Sequence, residues 1–263
     1  MSDRFLDLHR PGAPLLLPNA WDAGSAKLFA SLGFEALATT SSGHAATLGR
    51  LDGSVSREEA LEHAAALVAA TGLPVSADLE NGFGDEPEAV AETVRLALDA
   101  GLAGCSIEDF GGGDIYDAGL AVERVAAAAQ AAHSRSRRLV LTARAENHIH
   151  GRDDLDDTIA RLRAYGEAGA DVLYAPGPTS IEAIRAIVEG VGRPVNVLAR
   201  PGAPTVAELA EAGVARVSVG GAFAFAALGA AVEAARELLD AGTYGFWDRA
   251  GAGARAARSA FGP

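Results

Sequence analysis

Apolar and polar positions along the chain fall into two alternating rhythms. Short apolar runs with side chains alternating at period two predict strands over 15–20, 36–42, 74–80, 104–109, 139–144, 171–175, 194–199 and 216–220. Longer stretches with helical spacing follow each of them, over 22–32, 57–71, 87–100, 118–133, 155–168, 180–190, 205–212 and 223–241. The second strand is separated from its helix by a long loop reaching Ser56, which stands three residues before Glu59 as a capping box does. Gly33, Gly72, Gly101, Gly169 and Gly213 each close a helix and precede an apolar residue. Strand, helix and closing glycine repeated eight times predict a (β/α)8 TIM barrel, with an open doubly wound sheet as the alternative. No dinucleotide fingerprint follows the first strand.

The stretch 74–87, PVSADLENGFGDEP, carries the clearest chemistry. Val75, Ala77 and Leu79 alternate with Ser76, Asp78 and Glu80, so two carboxylates leave one face at the C-terminal end of a strand. Gly82 and Gly84 then permit a tight turn, and Asp85 is the expected cap of the helix opened by Pro87. Glu108 emerges from the adjacent strand with the same parity. Like charges this close would take up a proton unless a cation sat between them. Oxygen ligands without His or Cys point to Mg²⁺, or Mn²⁺, with Asp78 as the direct ligand and Glu80 and Glu108 acting through water. Asp109 has the opposite parity and is expected to hold a neighbouring loop.

Other strand ends add to the picture. Arg144 shares its parity with Thr142 and Glu146, which places a guanidinium oriented by Glu146 beside the carboxylates, suited to a substrate carboxylate or phosphonate. Ser42, Gly43 and His44 follow the second strand, where glycine lets backbone N–H groups approach an anion. Trp21 and Tyr174, at the ends of the first and sixth strands, are further candidate substrate contacts. His148 and His150 lack nearby partners for zinc and read as a surface loop, and Cys105 reads as a packing residue. Gly220 and Gly221 offer a weaker phosphate-site alternative at the eighth helix.

About half of the 263 residues are hydrophobic, enough for a large core filled mostly by small side chains. The net charge of −13 argues against nucleic acid or an anionic membrane as partner. One cysteine excludes an internal disulfide, and neither a signal peptide nor a membrane-spanning run is visible, so a cytoplasmic location is expected.

Taken together, LPNAWDAGSAKL, TTSSG, LGRLDG, ADLENGFGDEP, SIEDF and ARAENHI, in this order, resemble the isocitrate lyase / phosphoenolpyruvate mutase superfamily over nearly the whole chain. The resemblance implies a (β/α)8 barrel, a Mg²⁺ site held by Asp78, Glu80 and Glu108, and a 2-oxo acid or its enolate as ligand. It implies that Ser42, Gly43, His44 and Arg144 hold the substrate carboxylate and that Asp52, in LGRLDG, lies beside the reacting bond. It also implies homodimers built by exchange of the last helix, often paired into tetramers; residues 242–263, with Phe246, Trp247 and Phe261, are the segment expected at that interface. The departures are specific. The loop after the fourth strand, FGGGDIYDAG, lacks the Cys of the lyases and the Lys and Asn of the mutases, and Glu80 stands where many members have Asp. The expected activity is therefore Mg²⁺-dependent cleavage of a C–C bond next to a 2-oxo or 2-hydroxy carboxylate, through an enolate, either decarboxylating or 2-alkylmalate-cleaving. Asp52, Glu80 and Tyr116 are the available bases. The alternatives are P–C chemistry, or a 2-oxo acid binding protein without turnover.

Overall fold

Pro18 divides the first strand in two, and the division closes the barrel. The computed structural model describes residues 2–262 and begins with α1 (Ser2–Leu6). In it β1 (Leu15–Leu17) pairs with the last strand of the sheet, while β2 (Asn19–Ala20) pairs with the second. Pro18 has no N–H to donate, but its carbonyl still accepts from the amide of Ala38 at 2.9 Å. Chain order after β2 is α2 (Ala23–Ser31), β3 (Leu37–Thr39), α3 (Ser41–Thr47), α4 (Arg57–Ala70), β4 (Val75–Asp78), α5 (Pro87–Asp99) and β5 (Gly104–Glu108). A small antiparallel hairpin, β6 (Phe110–Gly111) and β7 (Asp114–Ile115), precedes α6 (Ala118–Ala132). There follow β8 (Val140–Arg144), α7 (Leu155–Glu167), β9 (Val172–Tyr174), α8 (Ile181–Val191), β10 (Val195–Leu198), α9 (Val206–Glu211), β11 (Arg216–Ser218), α10 (Ala222–Arg236) and α11 (Trp247–Phe261). The sheet runs β2-β3-β4-β5-β8-β9-β10-β11-β1, parallel throughout, so with β1 and β2 taken as one strand the fold is the expected (β/α)8 barrel.

The main core lies between strands and helices. Leu37, Leu67, Leu79, Leu139, Leu141 and Leu173 are fully buried there, each stabilising the fold by about 1.5–3 kcal/mol. Alanines on α6 let it lie close along α5. A second cluster, centred on Phe5, Leu15, Leu17, Val140 and Val172, closes the N-terminal end of the barrel. A short helix, Ser2–Leu6, supplies Phe5 as a plug; at Gly104 a Cβ would lie 2.7 Å from that ring.

Several local expectations need correction. The loop between the second strand and its helix contains α3, capped by the Thr40 hydroxyl. Asp85 does not cap α5; the cap position is Glu86 and it makes no side-chain bond, while Asp85 accepts the Tyr116 hydroxyl at 2.5 Å. Gly33, Gly101, Gly169 and Gly213 adopt positive φ at helix ends, but Gly72 does not, because α4 ends at Ala70 and Thr71 already leaves it in extended backbone. The capping box of Ser56 and Glu59 forms. The last helix of the barrel passes at Arg236 into a π turn, Glu237–Ala241, before α11, which lies against α2 of the same chain. Among the described residues, no helix is long and apolar enough to cross a membrane.

Candidate active site

A cavity of about 640 Å³ opens at the C-terminal ends of the barrel strands and runs down into the barrel. Its polar centre is Arg144, the last residue of β8. The Nη1 atom lies 3.0 Å from Asp78 Oδ1 and 3.1 Å from Glu108 Oε2, and Nε donates to Glu146 Oε1 at 2.8 Å. The guanidinium carbon sits 5.3 Å from the centre of the Tyr174 ring. Strand register sets this row, since Glu108 pairs with Arg144 and Arg144 with Tyr174 across neighbouring strands.

Each member is anchored from behind. The amide of Asp78 donates to Thr39 Oγ1 at 2.8 Å, and Asp78 Oδ2 accepts from Ser41 Oγ at 3.0 Å. Asp109 points away from the cavity: one oxygen accepts the amide of Glu146 at 2.8 Å, the other the Tyr165 hydroxyl at 2.6 Å and Arg161 Nη1 at 3.3 Å. Glu146 is thus fixed through its backbone while its side chain orients Arg144.

Glu80 does not continue the strand. β4 ends at Asp78, and Glu80 and Phe83 take φ of 49° and 60°, left-handed values that cost a side-chain-bearing residue about 1–2 kcal/mol each. The turn is held by Arg124, buried on α6, whose Nη1 donates to the carbonyls of Gly84, at 2.6 Å, and Asp85, and whose Nη2 donates to that of Asn81. Its guanidinium lies 4.2 Å from the centre of the Tyr116 ring. With its hydroxyl donated to Asp85 and accepting from Asn81 Nδ2 at 3.0 Å, Tyr116 braces the turn and does not line the cavity. It is not placed to serve as the base.

The electrostatics carry a cationic deficit. Asp52, Asp78, Glu80, Glu108 and Glu146 all line the cavity, against two guanidiniums, Arg144 beside the carboxylates and Arg216 at the start of β11. Burial, then Asp78 and Asp52, push the Glu80 pKa up to about 7. Burial pushes Glu108 up to about 8 against the opposing pull of Arg144, with Glu146, Asp78 and Glu80 adding to the rise. Glu146 is also raised, by burial. Burial opposes the charge of Arg144, but Glu146, Glu108 and Asp78 outweigh it and hold its pKa well above the usual arginine value.

Of the residues singled out from the sequence, Ser42, Asp52, Asp78, Glu80, Glu108, Arg144, Glu146 and Tyr174 meet at this cavity. Trp21, Gly43 and His44 do not line it. Trp21 packs edge-on against Phe29, and its carbonyl bonds to His63 Nε2 at 3.0 Å. The amide of Gly43 is already donated to Thr40 Oγ1. His44 stacks on His63 with ring centres 3.8 Å apart, and its Nδ1 is buried without a partner among the described residues. The reading of 148–150 as plain surface loop is also corrected: His150 lines the cavity, stacked on Phe110 of the hairpin at 3.6 Å. Ser41, Phe110, Asn196 and Arg216 are further lining or supporting residues that the sequence reading passed over. Cys105 is fully buried and burial pushes its thiol up, as befits a packing residue.

Among the described residues, no three His, Cys, Asp or Glu side chains converge as a ready metal cage. Asp78 and Glu108 instead share Arg144. A hard divalent ion that keeps most of its waters needs only one or two carboxylates, and the oxygen-only donors and unbalanced negative charge here fit such an ion.

Comparison with known proteins agrees with this architecture. The family model described as phosphoenolpyruvate phosphomutase matches residues 5–239. A Burkholderia cenocepacia J2315 protein of solved structure, provisionally described as a lyase/mutase, is 56% identical with a TM-score of 0.90, covering 93% of this chain and 90% of that one. The structure of 2,3-dimethylmalate lyase is 30% identical with a TM-score of 0.83, covering 93% and 89%. The 2-methylisocitrate lyase of Halalkalibacterium halodurans is 32% identical over 74% of this chain and 66% of its own length. With the barrel, the carboxylate row and these likenesses in hand, the chain belongs to the phosphoenolpyruvate phosphomutase family, within the isocitrate lyase / phosphoenolpyruvate mutase superfamily.

Proposed function

We propose that the protein is a Mg²⁺-dependent enzyme that cleaves a C–C bond next to a small 2-oxo or 2-hydroxy carboxylate. The observation that carries the reading is Arg144, a single guanidinium held by Asp78, Glu108 and Glu146 at the bottom of the cavity mouth. Arg144 binds the substrate carboxylate, in competition with Asp78 and Glu108. Glu146 keeps the guanidinium plane fixed while that exchange occurs, because Asp109 holds its backbone. A bound divalent cation, held by Asp78 with Glu80 and Glu108 through water, would supply stabilisation for the negative charge that develops as the bond to C3 breaks. Ser42 faces the same space as a hydroxyl donor. Asp52 and Glu80, both facing the cavity, are the carboxylates placed to take a proton from a 2-hydroxy substrate. Phe110, stacked on His150, lines the same cavity. Pyruvate release from oxaloacetate, substituted malates and phosphonopyruvate, with and without EDTA, tests the reading. Equal turnover after complete metal removal removes the metal role, and turnover of phosphonopyruvate alone moves the chemistry to the P–C bond.

A second reading is binding without turnover. It is favoured by the hairpin after β5, which is short and offers neither Cys nor Lys at the cavity. It expects oxalate to bind in the presence of Mg²⁺ and no panel member to be turned over.

Assembly into a homodimer or homotetramer belongs to the same proposal. Along α10 only Ala224 is buried, while Phe225, Leu228 and Val232 are about half exposed; further on, Leu239 is 82% and Trp247 66% exposed. Such a run of apolar side chains is costly in water, and a second copy of the chain is the proposed cover. Light scattering on the full chain and on a form ending at Ala241 tests whether the C-terminal segment contributes.

A further inference from the structure

Among the described residues, Arg216 is a cavity-lining charge that the proposed chemistry leaves unused and without a counter-ion. It begins β11, with its side chain inside the barrel, and is 3% exposed. Nε donates to Asn196 Oδ1 at 2.9 Å, Nη2 to Thr142 Oγ1 at 3.1 Å, and Nη1 lies 3.2 Å from His9 Nε2. The other His9 nitrogen sits 2.9 Å from the Phe5 carbonyl, which fixes the proton there and leaves Nε2 as an acceptor. Burial, with Arg216 adding to it, keeps His9 neutral, its pKa lowered to about 3. All three partners of Arg216 are therefore uncharged. Among the described residues, no carboxylate forms an ion pair with it, whereas Arg144 and Arg161, also inside the barrel or its loops, are paired.

A buried cation without an anion is expensive unless its hydrogen bonds compensate. Arg124 solves the problem with three main-chain carbonyls and does not border the cavity. Arg216 does border it, together with Ser76, Asn196 and Ser218. Three of the five N–H groups of a guanidinium are used here, leaving two for a ligand. Its level is set by Thr142, two residues before Arg144 on β8, so the two arginines address the shaft at heights about 6–7 Å apart along the strand.

We propose that Arg216, with Asn196 and Ser76, forms a second anion subsite at the floor of the cavity, which takes the far carboxylate of a 2-oxo diacid whose near carboxylate is held by Arg144. The inference rests on the reading of Arg144 as the carboxylate-binding group. It narrows the substrate class: the ligand carries an anionic group at each end, and an acid of the same length ending in a methyl group leaves Arg216 without a counter-charge.

Calorimetric titration of the full chain in Mg²⁺ buffer with 2-oxoglutarate and with 2-oxovalerate, equal in chain length, tests this. The wild type is expected to bind the diacid at least tenfold more tightly. In Arg216→Gln that preference should fall to about one, with the affinity for 2-oxovalerate within threefold of wild type. Equal binding of both acids by the wild type overturns the subsite, and this measurement needs no variant to fold. A variant that keeps the preference overturns the assignment to Arg216. Failure of both acids to bind overturns the Arg144 reading and the subsite with it.

Discussion

Replacing Arg144 by Met tests the electrostatic reading of the site directly. The change keeps much of the side-chain length and removes the one charge shared by Asp78, Glu108 and Glu146, at 3.0, 3.1 and 2.8 Å. Removing one partner of a buried ion pair typically costs 3–5 kcal/mol, because the remaining charges stay uncompensated. For a chain of this size, about 2–4 °C of Tm per kcal/mol gives a loss of roughly 6–20 °C. The loss must depend on pH, with a definite sign. Glu80 and Glu108 have native pKa values raised to about 7 and about 8, so the native state holds more protons than the unfolded chain between the ordinary glutamate value and pH 8. Their contribution to stability is complete below that ordinary value and is lost as pH rises through 7 and 8. Arg144 is the group that opposes both rises, so without it the decline is steeper. The deficit of Arg144→Met should therefore be larger at pH 8.5 than at pH 5.5, where the carboxylates escape by protonation. A divalent ion at one hundred times its Kd should restore about 2.7 kcal/mol. Circular-dichroism melts of both proteins, at both pH values and with and without MgCl₂, provide the assay. A Tm within about 2 °C of wild type at pH 8.5, or equal deficits at the two pH values, refutes the argument.

Three other outcomes are expected. Tyr116→Phe should lower stability by about 1 kcal/mol, through loss of the Asp85 hydrogen bond, and change kcat by less than about threefold; a hundredfold loss would reinstate the hydroxyl as a base. Arg124→Met should destabilise the protein by about 2–4 kcal/mol, as carbonyls of the turn lose their donor, and amide exchange over residues 80–86 should accelerate more than elsewhere, which uniform exchange would contradict. Leu228→Glu combined with Val232→Glu, both on the exposed face of α10, should shift light scattering toward the monomer mass without lowering Tm of the barrel; an unchanged mass places the interface elsewhere.

The barrel was legible because its strands alternate apolar residues facing the helices with a second face of mixed character, and most of its helices close on glycine. What escaped were elements too short to show a period. The plug Ser2–Leu6 has barely one turn, and its role lies in Phe5 meeting Gly104, a contact across most of the barrel that no local pattern encodes. The hairpin Phe110–Ile115 has two residues per strand, and its glycines read equally well as a plain loop. Pro18 was visible inside the first strand, but only closure of the sheet gives it meaning, since the two halves serve different neighbours.

Side-chain direction was legible only as far as a strand ran. Parity brought Asp78, Glu108 and Arg144 together because each ends its strand with the alternation intact. After Thr39 the alternation stops. Residues 41–47 wind into α3, where direction turns by about 100° per residue; Ser41 and Ser42 face the site, while Gly43 and His44 rotate away from it. The same failure displaced Trp21, which stands just past β2 and ahead of α2. Glu80 kept its place at the cavity by a different device, a left-handed turn clamped by Arg124, forty-four residues further along the chain. Arg216 carried a signal that parity could have used: an arginine between Ala215 and Val217, in an apolar run with Ser218 on its own face. A charge written into the interior of a strand needs an answering group. The carboxylate row gives Arg144 three such groups; among the described residues Arg216 has none, and its proposed answer is the far carboxylate of the ligand.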